Sequence, residues 1–264
     1  MSDAFDVFSF FGGSPNRLRV LRAVRDEPAT RRTLQAVTGV NRVTLGRTLA
    51  ALESRGWIRR AGDGYAATAT GRVVAGALEG FLDTVETAAR LDGLLRWLPL
   101  DEMDFDLARL ADATVVSPRR SDPQATLRRA HETARAATDL AMLTHAFTPA
   151  IVDAVHQRVT AGDQTVEMVV TADALDVLAA DPDLRAKMAA LLDADGAAVY
   201  RFDGDVPHVL AVADETVSIG VDDDQGRAQG LLETDDPAVR DWAQATVARY
   251  REAATRLGSG DLGR

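Results

Sequence analysis

The 264-residue chain contains no cysteine, which excludes disulfide bonds, thiol nucleophiles and zinc sites built on cysteine. Its four histidines are scattered and show none of the spacings that hold a metal ion. No apolar run is long enough to span a bilayer, and the N-terminal segment lacks the basic start and the cleavage site of a signal peptide. We therefore expect a cytoplasmic protein without metal or cofactor.

Lysine is nearly absent too, since Lys187 is the only lysine among thirty basic residues. Forty acidic residues outnumber the bases and give a net charge of −10 at pH 7. Acidic surfaces keep proteins soluble in molar salt, so this composition is typical of a halophilic archaeon, although a GC-rich genome alone also favours arginine over lysine. The 46% of hydrophobic residues supply ample core for a globular chain.

The charge is distributed unevenly along the chain. Residues 1–66 hold eleven arginines and six acids, a net charge of +5, whereas the remainder holds 19 basic and 34 acidic residues, a net charge of −15. A basic region in an otherwise acidic chain is the pattern of a nucleic-acid-binding domain.

The basic region contains the pattern of two short helices joined by a tight turn. Thr30 is suited to cap the first helix, in which Leu34 and Val37 fall on one face. Gly39 supplies the turn because glycine accepts positive φ, and Asn41 caps the second helix.

The second helix separates an apolar face from a small, cationic one. Gly56 ends this helix, and residues 57–60, 61–64 and 65–67 read as strand, turn and returning strand, which together form a wing. Helical spacing turns inward Leu45, Leu49 and Leu52, and turns outward Arg42, Val43, Gly46, Arg47 and Ala50.

An α-helix fits the major groove of DNA, where arginine pairs with guanine and threonine meets the thymine methyl group, while a wing reaches phosphate or the minor groove. The run from Thr44 to Ile58 resembles the recognition helix and first wing strand of archaeal and bacterial winged helix-turn-helix regulators. The alternative is an arginine-rich, solvated face used for protein contacts. The predicted DNA contacts are Arg42, Thr44 and Arg47 in the helix, Arg59 and Arg60 in the wing, and Arg31, Arg32 and Asn41 beside them.

The flanking segments complete a predicted first domain, residues 1–69. An apolar cluster at residues 5–11 precedes a helix that starts at Ser14-Pro15 and runs to Val24. After the wing, Thr70 is predicted to cap a long helix that ends before Pro99, followed by an acidic connector to residue 120. A helix of this length is expected to pair with its two-fold mate, which makes the protein a homodimer; the alternative is packing on its own C-terminal domain.

Residues 121–257 alternate between helices and short apolar strands, and 258–264 are expected to form a disordered tail. Such alternation predicts an α/β domain with a mixed sheet covered on both faces, so that the whole chain has a mixed α+β fold. The predicted helices are 123–137, 149–160, 174–180, 182–193 and 237–257, and the predicted strands are 140–145, 166–171, 197–202, 208–212, 216–221 and 228–232.

This order of elements resembles one half of a phospholipase D type fold, as in the effector domains of archaeal sugar-sensing TrmB-type regulators. Four segments also resemble the middle and C-terminal domain of the archaeal methanogenesis-regulator-like family: Leu98-Pro99, Leu110 to Ala113, Asp122-Pro123 and Asp235 to Arg251. The resemblance implies a transcription regulator, not an enzyme, whose C-terminal domain senses an effector.

Phospholipase D chemistry requires a histidine nucleophile, a lysine two positions later and an acid five beyond it, in two copies. His208 has Glu215 at the acid spacing, but Leu210 occupies the lysine position and the chain has no second copy. A phosphodiesterase, which a homodimer could complete with two histidines, remains the enzymatic alternative. A DNA-organising or protein-interaction factor without a ligand is the third hypothesis.

Ligands of such sheets bind beyond the carboxyl ends of strands. Candidate ligand-binding residues at or near those ends are therefore Thr144, His145, Thr171, Arg201 and His208, and each could instead satisfy loop backbone.

Overall fold

The computed structural model describes residues 4–258 and 260–261 and divides the chain into two units, Met1–Val85 and Glu86–Arg264. The boundary lies inside one helix, Ala69–Leu95. The expected separate segment 70–120 is therefore shared between the two units, and most of the expected disordered tail, 258–264, lies outside the described residues. No helix in the described part of the chain has both the length and the apolar composition needed to cross a membrane.

The first unit is a winged helix-turn-helix. Thr30 Oγ1 accepts a hydrogen bond from Thr33 N at 3.2 Å, and Asn41 Oδ1 accepts one from Thr44 N at 2.9 Å, so both predicted caps are present. Gly39 between them has φ +68°. The elements are α1 (Ala4–Gly12), α2 (Pro15–Arg22), α3 (Arg31–Thr38), α4 (Arg42–Ser54), β1 (Ile58–Ala61), β2 (Gly64–Ala67) and the first part of α5 (Ala69–Leu95).

The core of this unit differs from expectation at one residue. Val37 was expected to share one apolar face of α3 with Leu34, yet it is 64% exposed, whereas Leu34 and Val40 are buried. The N-terminal aromatic cluster forms helix α1, in which Phe10 and Phe11 pack on Trp57 with ring centroids 5.3 and 5.1 Å apart. The predicted inward residues of α4 are buried, namely Leu45, Leu49 and Leu52.

Helix α5 begins against the wing. Gly71 N donates to Thr68 Oγ1 at 3.0 Å, so Thr68 caps the helix and the expected cap, Thr70, does not. The first turn of the helix lies so close to the chain before β1 that a Cβ on Gly71 would stand 1.9 Å from the Trp57 carbonyl oxygen. Only glycine fits at this position.

The second unit is an eight-stranded mixed sheet covered by helices on both faces, as predicted. Its strand order is β10-β6-β5-β4-β7-β8-β9-β3, in which β6, β5 and β4 are parallel and the other neighbours antiparallel. The elements are β3 (Thr114–Val116), α6 (Ala125–Ala136), β4 (Asp139–Thr144), α7 (Pro149–Thr160), β5 (Thr165–Thr171), α8 (Ala172–Ala180), α9 (Pro182–Leu192), β6 (Ala197–Phe202), β7 (Val209–Ala213), β8 (Thr216–Asp222), β9 (Ala228–Thr234), α10 (Pro237–Glu252) and β10 (Thr255–Arg256).

Both edge strands of the sheet were missed in the sequence. Strand β3 lies in the expected connector, after a 3₁₀ turn at Leu107–Leu110, and pairs with β9. The last helix was expected to reach Leu257, but it ends at Glu252 and β10 pairs with β6. Strands of two or three residues are too short to give an alternation that can be recognised.

The sheet is sandwiched between two helix layers. Helix α10 and the final turns of α5 cover one face, and helices α6 to α9 cover the other. The first face contains His208, which is 1% exposed and stacks on Trp242 at 6.0 Å between ring centroids. Neither of its ring nitrogens has a hydrogen-bond partner in the described part of the chain. Burial lowers the pKa of His208 from 6.5 to about 4.

His208 should make the protein less stable in acid. Between pH 6.5 and 4 the unfolded chain protonates this residue while the folded chain keeps it neutral, so folding stability falls as the pH falls. The shift corresponds to a loss on the order of 3 kcal/mol. A His208→Phe variant, unfolded chemically at both pH values, should lose less stability than the wild type by that amount. An equal loss in both proteins would contradict the pKa.

The approach of α5 to the wing gives a second prediction. Gly71→Ala should destabilise the first unit by about 2–3 kcal/mol, because the methyl group would overlap the Trp57 carbonyl. Gly76→Ala, in the same helix but with open space around its Cβ, should stabilise it by about 1 kcal/mol through helix propensity. Calorimetry of both variants measures the difference, and effects of the same sign would contradict this close approach.

Candidate nucleic-acid interface and ligand cavity

The outward face of α4 is cationic, small and free. Arg42 and Arg47 are exposed, and neither makes a hydrogen bond or ion pair with any described residue. Val43 between them is 63% exposed, and a Cβ on Gly46 would meet nothing within 4 Å. Thr44 is half-buried at the start of the helix. The arrangement leaves two free guanidinium groups and one apolar side chain on a helix face that a groove can approach.

Of the other arginines predicted to contact DNA, some have free guanidinium groups and others make contacts within the unit. Arg32 is exposed and unpartnered within the described residues, and Arg59 is exposed with only a long bond of 3.4 Å to the Arg60 carbonyl. Arg31 donates to the Tyr65 hydroxyl at 3.0 Å, and Arg60 stacks over the Tyr65 ring at 4.3 Å. Arg31 therefore links α3 to the wing through Tyr65, and Arg60 packs on the same side chain within the wing.

The remaining arginines of the first unit make internal contacts through their guanidinium groups. The guanidinium groups of Arg22 and Arg25 both pair with Glu79, and that of Arg55 lies 4.1 Å from the centre of the Phe10 ring. Arg17, Arg19 and Arg72 each donate a hydrogen bond inside the unit. Within this unit, the arginines without a partner among the described residues are Arg32, Arg42 and Arg47, and all three lie on the helix-turn-helix.

The second unit contains a cavity of about 210 Å³ between α6 and the sheet. The cavity exists because the sheet surface beneath α6 consists of small residues, namely Ala211, Ala213, Ser218 and Gly220. The remaining lining comes from Thr126, Leu127, Ala130, Thr133 and Ala134 of α6, from Leu140, Met142 and Thr144 of β4, from Ala146, Phe147, Thr148 and Ile151 at the start of α7, and from Val209, Asp222, Gly226, Ala228, Gly230 and Leu231.

Two of the predicted ligand residues lie at this cavity. Thr144 lines it, although its Oγ1 already donates to the Ala146 carbonyl at 2.7 Å. His145 lies beside it, with Nε2 3.1 Å from an oxygen of Asp222, which also belongs to the lining.

The other three predicted ligand residues are not gathered at the cavity. Thr171 Oγ1 caps α8 by accepting from Ala174 N, and Arg201 pairs on the surface with Asp203 at 2.9 Å. His208 lies in the core on the opposite face of the sheet. Each has a structural role, because strand ends supply polar residues to caps and surfaces as well as to ligands.

The arrangement around His208 offers no route to phosphodiester chemistry at that residue. Its ring is buried under Trp242, Leu210 is fully buried, and Glu215 is exposed in the turn after β7. A nucleophilic histidine must instead reach its substrate. No group of three or more His, Asp or Glu side chains among the described residues could hold a metal ion.

Sequence reasoning missed the residues that make the cavity. The signal was nevertheless present: in β7 and β8, small residues alternate with large apolar ones such as Leu210, Val212 and Ile219. Alternation predicts which residues share one face of a sheet, and small residues on one face under a helix leave unfilled space.

Two domain-family models match the chain. Residues 6–90 match the HVO_A0261 N-terminal domain, and residues 123–253 match the middle domain of the methanogenesis regulatory protein FilR1. The first match contains the helix-turn-helix and wing, and the second contains the cavity. No curated protein matches the chain.

Solved structures give weaker similarities. TrmBL2, an archaeal chromatin protein, is 16% identical, with 91% of this chain and 92% of that chain covered and a TM-score of 0.45. Nuc from Salmonella typhimurium, a phospholipase D family member, is 13% identical, with 55% and 99% covered and a TM-score of 0.43. Likeness at this level carries no conclusion about this chain. The two domain models together span most of its length, and the chain belongs to the family of transcription regulators that includes the methanogenesis regulatory protein.

Proposed function

We propose that the chain is a sequence-specific, homodimeric regulator whose helix α4 enters the major groove and whose second unit responds to an effector. The observation that carries the proposal is the position of the free cations. Of the first unit's arginines, those without a partner in the described chain are Arg32, Arg42 and Arg47, and they share the helix-turn-helix. An unpaired arginine is available for guanine or phosphate without breaking an internal bond.

Different groups take different roles in this proposal. Arg42 and Arg47 read base edges, while Val43 and Thr44 meet thymine methyl groups. Arg32 and Arg59 bind phosphate and set the orientation, which carries no sequence information by itself. If the cell is salty, counterion release adds little to the affinity for DNA. The exposed Val43 and the small Gly46, which allows close approach, then contribute a larger share of that affinity, because salt does not screen apolar contacts.

The proposed dimer contact is an apolar stripe on α5. Val73, Ala77, Phe81 and Val85 recur at every fourth position and are all exposed, with Val73 73% and Phe81 48% exposed. Phe8 of α1, 50% exposed, extends the stripe through an edge-to-face contact with Phe81 at 5.7 Å. A row at i, i+4 is the ridge by which helices pack on each other, and a second copy presents the matching row. Exposed aromatic patches of this kind mark association surfaces.

Coupling to an effector is proposed to pass through β9. Leu231 of this strand lines the cavity, whereas on the opposite face a Cβ on Gly230 would stand 2.6 Å from Leu94 of α5. Arg90 of the same helix donates to the Ala113 carbonyl at 2.8 Å, next to the strand that pairs with β9. A ligand that moves β9 would therefore press on α5, the helix that runs on from the DNA-binding unit.

The recognition helix is tested by Arg47→Ala. The variant should bind its sites about 10- to 100-fold more weakly, because a bidentate arginine–guanine pair is worth about 1–3 kcal/mol. Genome-wide occupancy in native high salt identifies the sites, and titration of purified protein on one site measures the loss. Preference should relax at one base pair of each half-site.

The matched control is Arg72→Ala, which removes the same charge from an exposed arginine that donates inside the unit to the Ala67 carbonyl. It should leave base preference unchanged. Arg59→Ala should weaken binding to all sequences alike and flatten the salt dependence. Discrete sites that are indifferent to Arg47 would contradict the assignment of α4.

The dimer is tested by Phe81→Glu. A charge buried in the stripe should raise the dimer dissociation constant roughly a hundredfold or more. Sedimentation equilibrium in molar salt measures it. Val37→Glu, which adds the same charge to an exposed valine of α3, serves as the control and should remain dimeric. A wild type that is monomeric at micromolar concentration, or a Phe81→Glu variant that stays dimeric, would exclude this interface.

A further inference from the structure

Small residues form the floor of the cavity under α6. On this face of the sheet, Ala211, Ala213, Ser218 and Gly220 leave a space of about 210 Å³, although protein interiors otherwise leave few spaces larger than a water molecule. The mostly apolar walls would make packing contacts with a small apolar molecule that fits between them.

The size of the cavity limits the occupant. An engineered apolar cavity of about 150 Å³ in another protein takes up benzene. The present cavity, at about 210 Å³, has room for an aromatic or alicyclic ring of that size with one or two further heavy atoms. Phe147, Ile151, Leu140 and Met142 supply apolar walls for such a ring.

The charge of the lining excludes anions. Of the described residues, no Lys, Arg or His contributes to it, and one charged residue does, Asp222, whose carboxylate pairs with His145. A phosphate or carboxylate would lose its hydration without gaining a cation, and would meet a carboxylate.

Among the described residues that line the cavity, one buried hydroxyl group has no hydrogen-bond partner. Thr144 Oγ1 donates to the Ala146 carbonyl, Thr133 and Ser218 donate to Glu233, and Thr148 Oγ1 accepts from Ile151 N. Thr126, 4% exposed, differs, because its Oγ1 is buried with no partner among the described residues. A buried hydroxyl without a partner is unfavourable, and a ligand that bonds to it removes that penalty.

We infer that the cavity binds an uncharged, mostly apolar molecule about the size of a substituted benzene, which forms a hydrogen bond with Thr126 Oγ1. The inference rests on the proposed role of the second unit as an effector domain. It assigns the effector to the class of uncharged, mostly apolar molecules, and it excludes phosphorylated and carboxylate metabolites as ligands of this cavity.

The test uses three small probes of matched shape with the full chain: p-cresol, toluene and p-toluate. Isothermal calorimetry or ligand-observed NMR should detect p-cresol, with toluene about tenfold weaker for want of the hydrogen bond. The anionic p-toluate should not bind. Equal binding of p-toluate and p-cresol would overturn the inference, and so would the absence of p-cresol binding.

Two variants locate the binding. Ala211→Leu fills the cavity and should abolish p-cresol binding, whereas Ala198→Leu, a matched change on β6 outside the cavity, should leave it intact. Thr126→Val should remove the preference for p-cresol over toluene without lowering the melting temperature of the ligand-free protein, because its hydroxyl makes no bond there. Undiminished p-cresol binding by Ala211→Leu would place the probe elsewhere and refute the site.

DNA binding by the same preparations separates this inference from the proposed function. If the wild-type protein binds its chromosomal sites but does not bind p-cresol, the inferred class of ligand is wrong and the proposed function stands. Loss of sequence-specific DNA binding in the wild type refutes the proposed function, whatever the cavity takes up. The Arg47→Ala variant should bind p-cresol as the wild type does, because Arg47 lies in the other unit.

Discussion

Helix α5 begins where it does because Gly71 has no side chain. Its backbone lies against the Trp57 carbonyl, and Trp57 in turn packs on Phe10 and Phe11 of α1. This contact fixes the start of α5 relative to the wing and brings α1 alongside both. The direction of the apolar stripe on α5, and with it the separation of two recognition helices in a proposed dimer, follows from that contact.

Among the described residues of the first unit, the arginines without a partner lie on one surface, the helix-turn-helix. A chain with a net charge of −10 would repel DNA if its charge were spread evenly. Internal partners such as Glu79 and Phe10 neutralise or cover other arginines of this unit that lie away from the helix-turn-helix. The acidic residues lie mainly in the second part of the chain, where they favour solubility and oppose unspecific adsorption to nucleic acid.

Local chemistry made the winged helix-turn-helix predictable, since Thr30, Gly39 and Asn41 each specify a cap or turn within four residues. The fold class followed from the alternation of elements. What failed depends on distant contacts: Thr68 caps α5 because the helix meets Trp57, and β3 is a strand only because β9 lies beside it. The ligand residues predicted at strand ends remain a prediction, and the cavity itself arises from small residues within β7 and β8, which the sequence analysis did not single out.

Strand β9 contacts the cavity on one face and α5 on the other, so it is the proposed link between a bound ligand and that helix. A strand moves as one unit across its width, because its backbone is hydrogen-bonded on both sides to β8 and β3. Under the proposed effector role, a ligand that displaces Leu231 would also displace the neighbouring Gly230, where a Cβ would stand 2.6 Å from Leu94. Closely packed groups respond by switching between discrete arrangements, so that a small shift is not absorbed locally. Under the proposed function, a ligand of modest size that shifts β9 would bias α5, and this route of coupling requires no charge on the ligand.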